Sequence, residues 1–257
     1  MKKHFLTGLT VLAILFVFGV QEVTAMKASE CVVLLHGLAR TERSLLKLER
    51  HLKSHDFHVV NVGYPSRKEN IQTLALKAIH EACTACADVS ARRIHFVTHS
   101  MGGILVRYYL EHNDIPHLGR VVMLSPPNRG SEAVDMFKGT KIFQWLNGPA
   151  GQQLGTDEAS LPKKLAAPRY DVGIITGDWT INPILSLLIP GKDDGKVSVE
   201  SARLEGMKDF LVVPEAHTFI MYDEEVLRQA TFFLKNGVFD KGSNQETNEH
   251  PTSNIEH

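Results

Sequence analysis

Excess charge, cysteine and internal repetition are all scarce in this chain, and each scarcity excludes something. Lys and Arg number 28 against 29 Asp and Glu, so there is no basic field to draw nucleic acid or an anionic membrane surface, and no nucleic-acid partner is expected. The only cysteines are Cys31, Cys83 and Cys86, an odd set that permits at most one internal bridge and excludes a disulfide framework. Cys83 and Cys86, with His80 or His95, would make half of a metal site, and no second pair completes it; no metal is expected. Without repeats, 257 residues suit one sizeable domain with a buried core. A long apolar run occurs at the start, from Phe5 to Val20, behind Lys2 and Lys3 and ahead of Val23-Thr24-Ala25. It reads as a secretory signal peptide over residues 1–25, which makes the protein periplasmic or secreted; an uncleaved membrane anchor is the alternative.

What the chain does have is alternation. Cys31–Leu35 is a continuous apolar run of the kind buried on both faces of a parallel sheet, and His58–Val62, Arg93–Val97, Arg120–Leu124, Val172–Thr176 and Phe210–Val213 repeat the pattern. Between them, segments 44–54, 71–87, 102–112 and 224–234 carry helical periodicity. Strands alternating with helices predict an α/β fold, a mostly parallel sheet with helices on both faces, over residues 26–240. Residues 130–168, rich in Gly, Pro and short helical fragments, are too long for an ordinary connection and read as a modest inserted cap. The polar stretch 241–257 reads as a disordered tail.

The chemistry-bearing residues sit at strand ends. Thr98-His99-Ser100-Met101-Gly102-Gly103 joins a buried strand to a helix, the setting in which a serine hydroxyl is held out of the sheet at a helix N-terminus. This segment resembles the GxSxG nucleophile elbow of the α/β-hydrolase superfamily, with Thr98 in place of the first glycine, which predicts a slightly wider turn. His36-Gly37-Leu38-Ala39-Arg40 resembles the loop that bacterial lipases place beside their nucleophile. It implies an oxyanion hole from the amides of Leu38 and Met101, with His36 ordering the loop and Arg40 in a surface ion pair. Ser125-Pro-Pro-Asn-Arg-Gly-Ser131 resembles the turn that precedes the lid of those lipases. Gly191-Lys-Asp-Asp-Gly-Lys-Val197 resembles their acid-bearing stretch and implies Asp194 as the acid, with Asp178 and Asp193 as rivals. Since this fold orders its residues Ser, acid, His, the base falls to His217, the late histidine that follows a strand and precedes the polar tail.

The resemblance to bacterial lipases and carboxylesterases implies a carboxylic ester hydrolase that works by two-step acyl transfer, with Ser100, His217 and Asp194 as its triad and no cofactor. Its substrate would be a small-molecule or lipid ester, with transient contact at a lipid surface. Fold and triad also serve acyltransferases, thioesterases and amidases, and a non-enzymatic exported binding protein is the rival from another class. Met136, Phe137, Ile142, Phe143, Trp145 and Leu146 give the cap an apolar character that implies an acyl pocket, with Phe143 and Trp145 as substrate contacts. In such a fold Cys31 and the end of the helix carrying Cys86 share one sheet edge, so a Cys31–Cys86 bridge is within reach, although the sequence leaves the pairing open.

Overall fold

The computed structural model describes residues 30–242, so the predicted signal segment and almost all of the predicted tail lie outside the described residues. Six parallel strands form one sheet in the order β2-β1-β3-β4-β5-β6, built from Glu30–Leu35 (β1), His58–Val62 (β2), Arg93–His99 (β3), Leu118–Leu124 (β4), Val172–Gly177 (β5) and Asp209–Val213 (β6). The central strands are sealed on both faces: Val32 to Leu35 are wholly buried, as are Phe96, Val97 and Val121 to Leu124. That double burial is why they read as unbroken apolar runs and not as alternations.

Two helices, Ile71–Asp88 (α2) and Met101–His112 (α3), cover one face, over a core that includes Leu74, Ile79, Phe96 and Ile104. Leu46–Lys53 (α1) and the closing helix Glu224–Asn236 cover the other, over Leu48, Leu52, Val97 and Phe233. Local signals set the ends. Asn70 caps α2 by accepting from the Thr73 amide at 2.9 Å, and Asp223 caps the closing helix by accepting from Val226 at 2.8 Å. The closing helix stops at Gly237, whose φ of 81° suits glycine.

Between β4 and β5 the chain makes three helical pieces, Glu132–Phe137 (α4), Lys141–Gln152 (α5) and Leu161–Lys164 (α6). A kink at Gly148-Pro149 bends α5, where Gly148 (φ 62°) lies so close to the Arg67 carbonyl that any side chain there would collide with it. The kink therefore packs this segment against the loop that follows β2. The remaining short helices, Pro183–Ser186 (α7) and Val199–Ala202 (α8), flank the 191–197 loop, so the closing helix is α9.

Cys31 and Cys86 are bridged, with Cα atoms 5.8 Å apart, and tie the start of β1 to the end of α2. Cys83 is left single and half-buried, its thiol pushed up to about 11 by burial. Among the described residues no helix is long and apolar enough to cross a membrane.

Candidate active site

All the site residues proposed from the sequence, apart from those of the cap, lie on loops or helix starts at the carboxyl edge of the sheet, where open α/β sheets gather reactive groups. Ser100 joins β3 to α3 with φ 52° and ψ −121°, a conformation that an L-residue occupies at a cost of roughly 1–3 kcal/mol. The turn is over-determined: the Ser100 amide donates to the Leu124 carbonyl at 2.8 Å, and Gly103 donates back to the Ser100 carbonyl at 3.0 Å. Gly102 has a backbone reason to be glycine, because a Cβ there would lie 2.5 Å from the Leu35 carbonyl oxygen. Thr98 is buried in β3 with its hydroxyl 3.5 Å from the Val122 carbonyl, where it completes the strand without entering the turn.

A hydrogen-bonded line runs from Asp194 to Ser100. The Nδ1 of His217 lies 2.8 Å from Asp194 Oδ2, and its Nε2 lies 3.0 Å from Ser100 Oγ. The other carboxylate oxygen of Asp194 accepts the Lys196 and Val197 amides at 3.0 and 2.9 Å, and the His217 amide donates to the Asp194 carbonyl at 2.9 Å. Both partners are buried, so the carboxylate is fixed and satisfied on every side. The rivals point elsewhere. Asp193 accepts the Gly195 amide and the Ser186 hydroxyl, while Asp178 pairs with Lys192 at 2.7 Å near the surface.

His99 and His36 act as braces. His99 is fully enclosed, donates from Nε2 to the His217 carbonyl at 3.0 Å, and has its Nδ1 buried without a partner among the described residues. Burial first, and then the neighbouring His217 and Arg40, hold it well below the ordinary histidine range, so it stays neutral. His36 stacks on Tyr64 with ring centres 3.9 Å apart, and its main-chain carbonyl accepts the Tyr64 hydroxyl. Its own pKa is lowered chiefly by burial, in keeping with a role in ordering the loop.

A cavity of about 280 Å³ opens beside Ser100 and His217. Leu38, Val134, Phe137, Phe143, Leu154 and Val197 give it apolar walls, and Arg40 and Lys196 add two cations. Leu38 thus stands beside the serine, and Met101 is the first residue of α3, where an amide has no intrahelical acceptor. Phe143 lines the cavity as expected, but Trp145 does not. It is 81% exposed and faces an adjoining groove, because α5 turns its successive side chains to different sides. Arg40 also departs from expectation: it makes no ion pair among the described residues, and donates instead to the Thr218 carbonyl at 3.2 Å while lining the cavity.

Several contributors escaped the sequence reading. Ser131, at the end of the Pro-Pro turn, donates to the Lys196 carbonyl at 2.7 Å, and Glu132 accepts the hydroxyls of Ser198 and Ser201 at 2.8 and 2.6 Å. These bonds latch the start of α4 to the acid-bearing loop. The only signal in the sequence was the motif itself. Trp179, Ile181, Ile184, Leu187 and Leu188, ahead of that loop, are each more than half exposed.

Comparison with known proteins gives this arrangement a family. Residues 31–165, more than half of the chain, match the model of the palmitoyl protein thioesterase family. The chain belongs to that family. Among solved structures it is similar to the mature lipase of Bacillus licheniformis, with 16% identity over 76% of this chain and 87% of that one, and a TM-score of 0.62. It is also similar to a metagenomic carboxyl esterase, with 17% identity over 76% and 66% of the two chains and a TM-score of 0.60. Lipase B of Aspergillus fumigatus gives 15% identity over 80% of this chain, which spans about half of that enzyme (52%), and a TM-score of 0.60. A sequence search among curated proteins finds no match. The structural likenesses establish the α/β-hydrolase fold, and with the family match they make this family member a hydrolase of that superfamily.

Proposed function

We propose that the protein is a serine hydrolase that cleaves acyl esters, oxygen or thio, through an acyl-enzyme. The observation that carries this reading is the unbroken line from Asp194 through His217 to Ser100, at 2.8 and 3.0 Å, ending on a serine in a strained strand-to-helix turn. Ser100 attacks the acyl carbonyl as His217 Nε2 takes its proton. The amides of Leu38 and Met101 receive the oxyanion. His217 then returns the proton to the leaving group, and water repeats the cycle to release the acid. Asp194 holds the imidazole with Nε2 as the basic nitrogen and stabilises its charged form. The apolar walls around Phe143 suit the acyl chain.

The family match favours thioesters among the alternatives, whereas the structural neighbours named above carry lipase and esterase titles. Rates on an oxygen ester and an S-acyl N-acetylcysteamine of equal chain length separate the two, and release of free acid against transfer to added alcohol separates hydrolysis from transfer. Labelling of Ser100 by a fluorophosphonate probe, blocked in Ser100→Ala, tests the common core; a folded protein that fails to label overturns it. The Cys31–Cys86 bridge supports an oxidising compartment, consistent with export.

A further inference from the structure

Two cavities meet at Arg40. One is the acyl-sized cavity beside Ser100, and the other is a groove of about 400 Å³ between Trp145 and the loop after β2. The groove carries Arg67 and Lys68 in addition to Arg40, and Lys196 lines Ser100's cavity together with Arg40. No Asp or Glu lines either space, and none of the four cations has an ion-pair partner among the described residues. In a chain of net charge −1, this is a local surplus and not a general excess.

Like charges gathered around one opening repel. The proximity of Arg40 helps to lower the Lys196 pKa, behind desolvation as the main cause and against the pull of Asp194. Such crowding is relieved when an anion arrives. Arg40 retains most of its donors, since the Thr218 carbonyl is its one hydrogen-bond acceptor among the described residues. A guanidinium fork supported by a second Arg and a Lys matches a phosphate better than a lone carboxylate.

We propose that Arg40, Arg67 and Lys68 form a leaving-group subsite for a phosphate-bearing ester or thioester, with the acyl chain in the apolar cavity and the phosphate in the groove. The inference rests on the acyl-transfer reading above. The phosphate would belong either to a glycerophosphate headgroup, a few bonds from the scissile ester, or to a phosphorylated thiol carrier, at the end of a longer arm.

The test measures kcat/KM on two pairs of equal acyl length, kept below their micellar concentrations: lysophosphatidate against monoacylglycerol, and acyl-coenzyme A against S-acyl N-acetylcysteamine. We expect at least one phosphorylated member to be preferred by roughly tenfold or more, with the favoured pair identifying the source. That preference should shrink as NaCl rises. It should also fall by about tenfold in Arg67→Gln/Lys68→Gln, checked for wild-type thermal unfolding. A wild-type enzyme that turns over both neutral substrates yet shows no phosphate preference, or whose preference ignores both salt and the double variant, overturns the subsite and leaves the acyl-transfer reading intact. Absence of turnover on all four, together with no fluorophosphonate labelling of Ser100, overturns both.

Discussion

Replacing Asp194 with Asn changes one atom, and the structure shows why that atom matters. Its two oxygens have different duties: Oδ1 takes the Lys196 and Val197 amides, and Oδ2 faces His217 Nδ1. Asn can serve only one of them. If its amide nitrogen turned toward the two backbone donors, two buried N–H groups would lose their acceptor at about 1–3 kcal/mol each. The favoured rotamer therefore points the NH₂ at His217. That forces the imidazole proton onto Nε2, so Ser100 Oγ, 3.0 Å away, faces a donor where it needs a base. Wrong-tautomer loss on the serine-protease template is about 10⁴ in turnover, equivalent to about 5 kcal/mol of transition-state stabilisation.

Asp193→Asn can keep both of its bonds, because an amide can accept from Gly195 and donate to Ser186. Asp178→Asn removes a near-surface pair with Lys192 worth about 0–1 kcal/mol. Both should stay within about tenfold of wild type, as neither touches the imidazole. Steady-state kinetics on p-nitrophenyl butyrate, normalised by active-site titration and paired with urea unfolding, decide the matter. A folded Asp194→Asn within tenfold of wild type, or a silent but folded Asp178→Asn, would refute the assignment of the acid.

Other consequences follow from particular contacts. Gly102→Ala would drive a Cβ to within 2.5 Å of the Leu35 carbonyl, and should lower the urea midpoint by an amount equivalent to about 1–3 kcal/mol; an unshifted midpoint would show that α3 can move aside. Reduction of the Cys31–Cys86 bridge, which closes a loop of sequence separation 55, should cost about 4 kcal/mol on the loop-entropy relation, and Cys31→Ser/Cys86→Ser should reproduce it in thermal unfolding. His95 is held down at about 4, by burial first, with Glu30 opposing and Arg120 and Arg93 assisting. The unfolded chain therefore binds a proton that the folded one refuses between about pH 6.5 and 4, so stability should fall as pH drops through that window, by up to about 3 kcal/mol. His95→Gln should flatten that slope, and an unchanged slope would exclude His95 as its source. Phe143→Ala should shift the acyl-length optimum on p-nitrophenyl esters, since Phe143 lines the cavity beside Ser100; an unchanged profile would remove it from the acyl pocket.

The sheet was legible in the sequence for a simple reason. A strand buried on both faces must be largely apolar, so Cys31–Leu35 and Val172–Thr176 announce themselves without reference to anything distant. That Ser100 and His217 share the carboxyl edge of the sheet was legible because a βα turn and the loop after the last strand have fixed places in such a sheet. That Asp194 faces His217 was implied by its motif alone. Spacing cannot say which of two adjacent carboxylates points inward, since that depends on the Lys196 and Val197 amides curling back to meet one of them.

Arg40 and Trp145 depart from what local sequence implies. A single sequence shows Arg40 as a long cation on a polar loop, for which a surface ion pair is the ordinary fate, and Trp145 as one of several apolar residues in a cap. Each is placed by segments distant in the sequence: Arg40 by the Thr218 carbonyl, and α5, which carries Trp145, by the kink at Gly148 that lies against the backbone of Arg67. On α5, Phe143 lines the cavity beside Ser100 and Trp145 lines the groove that Arg40 shares with Arg67 and Lys68. Both the cavity beside Ser100, through Val134, Phe137, Phe143 and Leu154, and the groove, through Trp145, take a wall from the segment between β4 and β5. Substrate choice can therefore change through the cap and the loop after β2 while the Asp194–His217–Ser100 line stays as it is.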